Sequence, residues 1–162
     1  MNCARAVVSI DSQVLGWYVQ DPSKNSDGRI RRARWLIDDL AREKVQILLP
    51  SLALSEFLHP VDEIDRRAIW ATVAEVLHIA PHDAHAAEIG AKLAVLALAR
   101  PRSEPGDRQV AKADAQIVAS AKAAGATVFY SDDQSCRALA EAAGMEARVL
   151  PDIPPNLFDG DK

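Results

Sequence analysis

A chain of 162 residues, 49% hydrophobic and 26% charged, is long enough to bury a core of its own and has the balance of a globular domain, not of a disordered or fibrous one. Its two cysteines, Cys3 and Cys136, exclude a disulfide framework and a four-cysteine zinc site. A net charge of −4 argues against holding nucleic acid by bulk charge, so such a partner would have to be met by local basic patches or through a metal ion.

Taken in order, residues 6–10 (AVVSI) form a short β-branched run that reads as a buried first strand ending at Asp11. Val14, Leu15, Tyr18 and Val19 then recur at helical spacing, and a polar segment over 21–28 follows. Ile30, Ala33, Ile37 and Leu40 mark one face of a second helix, with Arg31, Arg32 and Arg34 largely off it. Residues 45–49 (VQILL) read as a second strand closed by Pro50, after which Ser51 is placed to cap a helix whose Leu52, Glu56 and Phe57 fall near one face. A longer helix is expected over 62–77, a short strand over 78–80, and an alanine-rich helix over 83–98 with Ala87, Ala91, Ala94 and Leu98 in register.

The stretch 100–107 (RPRSEPGD) reads as a loop and as the part of the chain best suited to move. Beyond it Asp114 is expected to open a helix that Gly125 ends. A strand over 127–130 (TVFY), a turn over 131–133, a helix over 134–143 stopped by Gly144, and a last strand over 147–150 complete the pattern. Strands alternating with helices imply an α/β domain with a mainly parallel sheet over 1–150, followed by a proline-rich acidic tail over 151–162. No apolar run approaches the roughly 20 residues that cross a bilayer. Residues 1–10 carry no export pattern, so a cytoplasmic location is expected.

The acids fall where such a sheet binds ligands, beyond the carboxyl ends of strands. Asp11 follows the first strand, and Asp132 and Asp133 follow TVFY. Asp114 shares a helix face with Ile117, Val118 and Ala121, and Glu56 lies four residues after Leu52. Two carboxylates about 4 Å apart repel by about 4 kcal/mol at an effective dielectric near 20, so several of them ionised together call for a cation or a proton. Oxygen ligation of this type suits Mg²⁺ or Mn²⁺ over zinc. The spacing alone leaves a plainer alternative open, in which Asp11 and Asp133 cap helices and Asp114 complements a helix dipole.

Four segments resemble, in order, the PIN-domain family, and specifically the VapC-type toxin ribonucleases of type II toxin–antitoxin modules: VVSIDSQVLGWY (7–18), LPSLALSEFLHP (49–60), KADAQIVASAKAAGA (112–126) and VFYSDDQSCRALAEAAG (128–144). The resemblance implies a three-layer α/β/α sandwich with a parallel sheet of about five strands. It also implies a homodimer, a cognate antitoxin, and Mg²⁺- or Mn²⁺-dependent endonucleolytic cleavage of RNA through Asp11, Glu56, Asp114 and Asp133. Two positions depart from the family's pattern. Adjacent acids leave Asp132 as an alternative metal ligand to Asp133, with Ser131 in the hydroxyl position favouring Asp133. Cys136 stands where the family usually has an aromatic, and Ser135 where it often has a further acid.

Arg108 and Lys112, shortly before Asp114, are expected to support the site by meeting phosphates, and Arg29, Arg31, Arg32 and Arg34 form either a solvated helix face or a contact for RNA or a partner. His82, His85 and Glu88 read as the polar start of a helix in preference to a zinc face, and Trp17, Trp35 and Trp70 as core. An aspartyl-phosphate hydrolase would require an acid where Gln13 stands. A degenerate PIN scaffold that binds RNA or protein without cutting is the non-enzymatic alternative.

Overall fold

The computed structural model of the protein describes residues 6–21, 23, 28–99 and 106–154. The elements run β1 (Val7–Ile10), α1 (Ser12–Val19), α2 (Arg29–Arg42), β2 (Gln46–Pro50), α3 (Ser51–Leu58), α4 (Glu63–Val76), β3 (His78–Ala80), α5 (Ala84–Leu98), α6 (Asp107–Ala123), β4 (Val128–Tyr130), α7 (Gln134–Ala142) and β5 (Glu146–Arg148). Of the expected mobile segment over 100–107, residues 100–105 lie outside the described residues, as do Cys3 and the tail from residue 155, while Gly106 and Asp107 turn into and open α6.

The five strands lie in the order β3-β2-β1-β4-β5, and every neighbouring pair is parallel. This is the parallel sheet the alternating pattern implied, in the α/β/α arrangement that the family resemblance implied. Right-handed crossovers put the helices joining β1, β2 and β3 on one face, and α5, α6 and α7 on the other. From β1 the chain moves outward through β2 to β3, then returns to place β4 on the other side of β1. The strand order therefore reverses between β1 and β4, where sheets of this class open a crevice.

The central strands β1, β2 and β4 are covered on both faces, which is why they read as near-continuous apolar runs and not as alternating ones. The edge strands β3 and β5 are only partly buried. Ile10, Ile47, Leu49 and Phe129 are at most 1% exposed, each worth about 1.5–3 kcal/mol of transfer free energy. Gly90 brings α5 close to α6: a Cβ there would lie 3.5 Å from the Ala119 side chain.

Several expectations shift once the elements are in place. Pro50 ends β2 instead of following it, and it occupies the cap position of α3, so Ser51 is the first helical residue and no side chain caps that helix. The buried face of α5 is Ala86, Gly90, Leu93 and Ala97, one residue before the expected register. Alanines on every side of a helix give no apolar stripe from which to read its rotation. Trp17 and Trp35 pack against the core, whereas Trp70, on the loosely packed α4, is 48% exposed. The largest difference concerns α6, which begins at Asp107 and not at Asp114. Residues 108–113 carry no helix breaker, and Gly106, with φ of 103°, makes the turn into the helix.

Candidate active site

The strands flanking the point of reversal each deliver an aspartate. Asp11, directly after β1, caps α1: the Val14 N–H donates to its Oδ1 at 2.8 Å. Asp133, three residues after β4, caps α7 in the same way, accepting from the Cys136 N–H at 2.9 Å. Capping and site formation, alternatives from the sequence, coexist here, because a cap occupies one carboxylate oxygen and leaves the other. Asp114 is different. It stands two turns inside α6, where neither a cap nor the helix N-terminus stabilises it, since dipole effects fade within the first turn.

Asp11, Ser12, Gln13, Glu56, Val110, Asp114, Ile117, Asp133 and Cys136 line one cleft of about 290 Å³. Burial lifts the Asp11 carboxyl from 3.8 to about 6, opposed by hydrogen bonds from Ser131 and Val14 and reinforced by the charge of Asp133. Burial likewise lifts Asp114 to about 6, with Asp133, Glu56 and Asp11 adding like-charge repulsion. Glu56 is not the inward-facing acid that its spacing from Leu52 suggested. The residue is exposed, at the rim of the cleft, with Ser12 Oγ donating to its Oε2 at 2.8 Å.

Ser131 is fully buried. Its Oγ accepts from the Asp133 N–H at 3.0 Å while bonding Asp11, so one hydroxyl fixes both strand-end acids. Asp132 turns away. It accepts from the Leu150 N–H at 3.2 Å and lies 4.0 Å from Arg29 Nε. Arg108 and Lys112 are exposed and do not line the cleft. The reason is the earlier start of α6, which puts Val110 and Ile117, not these cations, on the face of Asp114. His82 Nδ1 bonds Ser120 Oγ at 2.9 Å and Glu88 pairs with Lys92, so neither forms part of a zinc face.

Sequence reasoning gave no role to Ser12, whose partner Glu56 lies 44 residues away, a distance no local pattern signals. It also missed Cys136 as part of the cleft wall. Burial and the surrounding acids push that thiol far up, which keeps it protonated and unreactive.

Among the described residues, no three His, Cys, Asp or Glu side chains form a ready-made ion cage. The donors nonetheless fit a hard divalent cation in kind: oxygens from several elements, crowded enough to resist ionisation together, with oxygens left over from capping.

The match of the family model described as "PIN domain" to residues 8–142 covers most of the chain, which belongs to that family. Among solved structures, the chain is similar to one described as VapBC2 from Rickettsia felis bound to a DNA fragment from their promoter, with TM-score 0.64 and 10% identity over 90% of this chain and 99% of that one. It is also similar to Mycobacterium tuberculosis VapC20, described as a Sarcin-Ricin loop cleaving toxin, with TM-score 0.53 and 15% identity over 85% of this chain and 95% of that one. At these identities the likeness is one of fold. A comparison with curated protein sequences gave no match.

Proposed function

We propose that this chain is a divalent-metal-dependent endoribonuclease and the toxin of a toxin–antitoxin pair. The observation that carries the reading is the shared cleft: Asp11 and Asp114 are both held at raised proton affinity, and Asp133 contributes to both. A fold needs no such crowding for its own stability, and a cation relieves it. In this reading Asp11, Asp114 and Asp133 would hold Mg²⁺ or Mn²⁺, which would supply charge compensation at a phosphodiester and activation of water. Ser131 keeps the two strand-end carboxylates in register. Glu56, exposed at the rim and oriented by Ser12, takes up the proton of the attacking water. The toxin assignment, the antitoxin and the RNA substrate draw on the fold shared with the VapC structures and on the four sequence segments that resemble that group. Among the described residues no helix is long and apolar enough to cross a membrane, in keeping with a cytoplasmic site of action.

Product analysis tests the mechanism. Water as nucleophile leaves a 5′-phosphate and a 3′-hydroxyl and needs no 2′-hydroxyl at the cut, so a 2′-O-methyl group at the scissile position should not block the chemistry. Fragments ending in 2′,3′-cyclic phosphate, or full activity in EDTA, would overturn it.

A further inference from the structure

The arginine cluster at the start of α2 is the charged surface left outside the cleft chemistry. The structure divides it. Arg34 turns away and donates to the Gln20 carbonyl at 2.8 Å. Arg29 lies over the Trp17 ring, 5.3 Å from its centroid, and faces Asp132, whose chain neighbour Asp133 is in the cleft. Because α2 runs antiparallel to the strands, its first turn sits at the same end of the sheet as the carboxylates. Arg31 and Arg32 continue outward from there, lining with Gly28, Asp152 and Ile153 a concavity of about 520 Å³.

An anionic group already sits in that concavity. Asp152, in the segment after β5, places a carboxylate oxygen 3.4 Å from Arg32 Nη1. The Arg32 side chain is 28% exposed and that of Asp152 is 98% exposed. An ion pair so open to water contributes about 0–1 kcal/mol. A better-matched anion displaces it readily, and a guanidinium fork matches phosphate oxygens two at a time.

We propose that Arg31 and Arg32 form a subsite for the phosphodiester backbone of single-stranded RNA leaving the cleft, and that Asp152 occupies this subsite intramolecularly in the free protein. The inference rests on the nuclease reading for the direction of the strand. It accounts for how a chain of net charge −4 holds a polyanion: cations are concentrated at the same end of the sheet as the acidic cleft, and an acid of the chain's own pairs with one of them when no strand is bound.

The test is binding of a labelled oligouridylate across a salt series in EDTA, measured by anisotropy on the full chain, with cleavage assayed separately in Mg²⁺. The Arg31→Gln/Arg32→Gln variant should bind more weakly. Its slope of log affinity against log salt should fall by about 1.4, two phosphate contacts at roughly 0.7 each for a single strand. Asp152→Asn should tighten binding about two- to five-fold, the equivalent of an exposed ion pair removed from the free state. All three positions are solvent-facing enough for the variants to fold, which circular dichroism checks. An unchanged slope in the double variant, or no tightening with Asp152→Asn, overturns the subsite, as does loss of an acidic protein partner with RNA binding intact. A wild-type chain that binds with the expected slope changes yet cuts no RNA supports the subsite and removes the nuclease reading instead.

Discussion

Replacing Asp11 by Asn separates what the fold wants from what the site requires. The Asp11 carboxyl sits at about 6 against an ordinary 3.8, so the native state holds a proton over a pH range in which the unfolded chain has lost it. Stability therefore falls as pH rises from about 3.8 to about 6 and remains reduced above, by about 3 kcal/mol at roughly 1.4 kcal/mol per pH unit. Asn is as good a helix cap as Asp and keeps an oxygen for the Val14 N–H, but it never ionises. In EDTA at pH 7.5, Asp11→Asn should be more stable than the native chain by about 1–3 kcal/mol, the lower figure allowing for a weaker bond to Ser131. With a urea slope of about 1–3 kcal/mol/M, the midpoint moves up by about 1 M. At pH 4 the two proteins should nearly coincide. Urea titrations at both pH values, with RNA cleavage measured in parallel, provide the check. A variant that is less stable at both pH values would refute the reasoning and make Asp11 a cap that happens to face a cleft.

Three other outcomes follow from the geometry. Mg²⁺ or Mn²⁺ should stabilise the native chain by mass action, by about 2.7 kcal/mol at a hundredfold excess over the dissociation constant, and so raise its melting temperature; Asp114→Asn should remove most of that rise in a thermal scan. Asp133→Asn should abolish cleavage at saturating metal while Asp132→Asn weakens it only modestly, since Asp132 is turned toward the Leu150 N–H and Arg29; initial rates in which Asp132 proved the more damaging site would contradict this orientation. Gly90→Ala should gain about 0.5–1 kcal/mol in denaturant titrations by restoring helix propensity, because a Cβ there meets Ala119 at an ordinary 3.5 Å, whereas Gly90→Leu should lose about 1–3 kcal/mol by forcing α5 off α6.

The parallel fold and the positions of the strand-end acids were legible because each depends on short-range signals. Val7–Ile10 is a mostly β-branched run that stops at Asp11, so the strand and its terminal carboxylate are read together. Helix ends were most legible where a breaker stands. Gly144 marked the end of α7, but nothing at residues 108–113 marked the interior of α6, so Asp114 read as a helix-opening acid when it lies two turns inside. That error propagated to Arg108 and Lys112, whose direction depends on where the helix begins. Glu56 was found by its resemblance to a family segment, yet its exposure was not foreseen. The Ser12 hydroxyl that orients it comes from another helix, and such a pairing exists only once α1 and α3 have docked. The orientation of Asp132 likewise hangs on a backbone N–H 18 residues away.

The pairing of β1 with β4 joins residues that leave the ribosome far apart in time. Val8 lies opposite Val128, and Asp11 meets Ser131 and Asp133 only through that pairing. At about 5–20 residues per second, the intervening stretch of about 120 residues takes roughly 6–24 s to make. Once β2 has been made the first strand can pair with it, but it has no neighbour on its other side until β4 follows. Contacts of such long range also form late and slowly once the chain is complete. The carboxylate cleft is therefore among the last features to mature. A nascent chain carries Asp11 and Glu56 without the partners that complete the cleft, and under the proposed function it would gain activity only as synthesis of the domain ends.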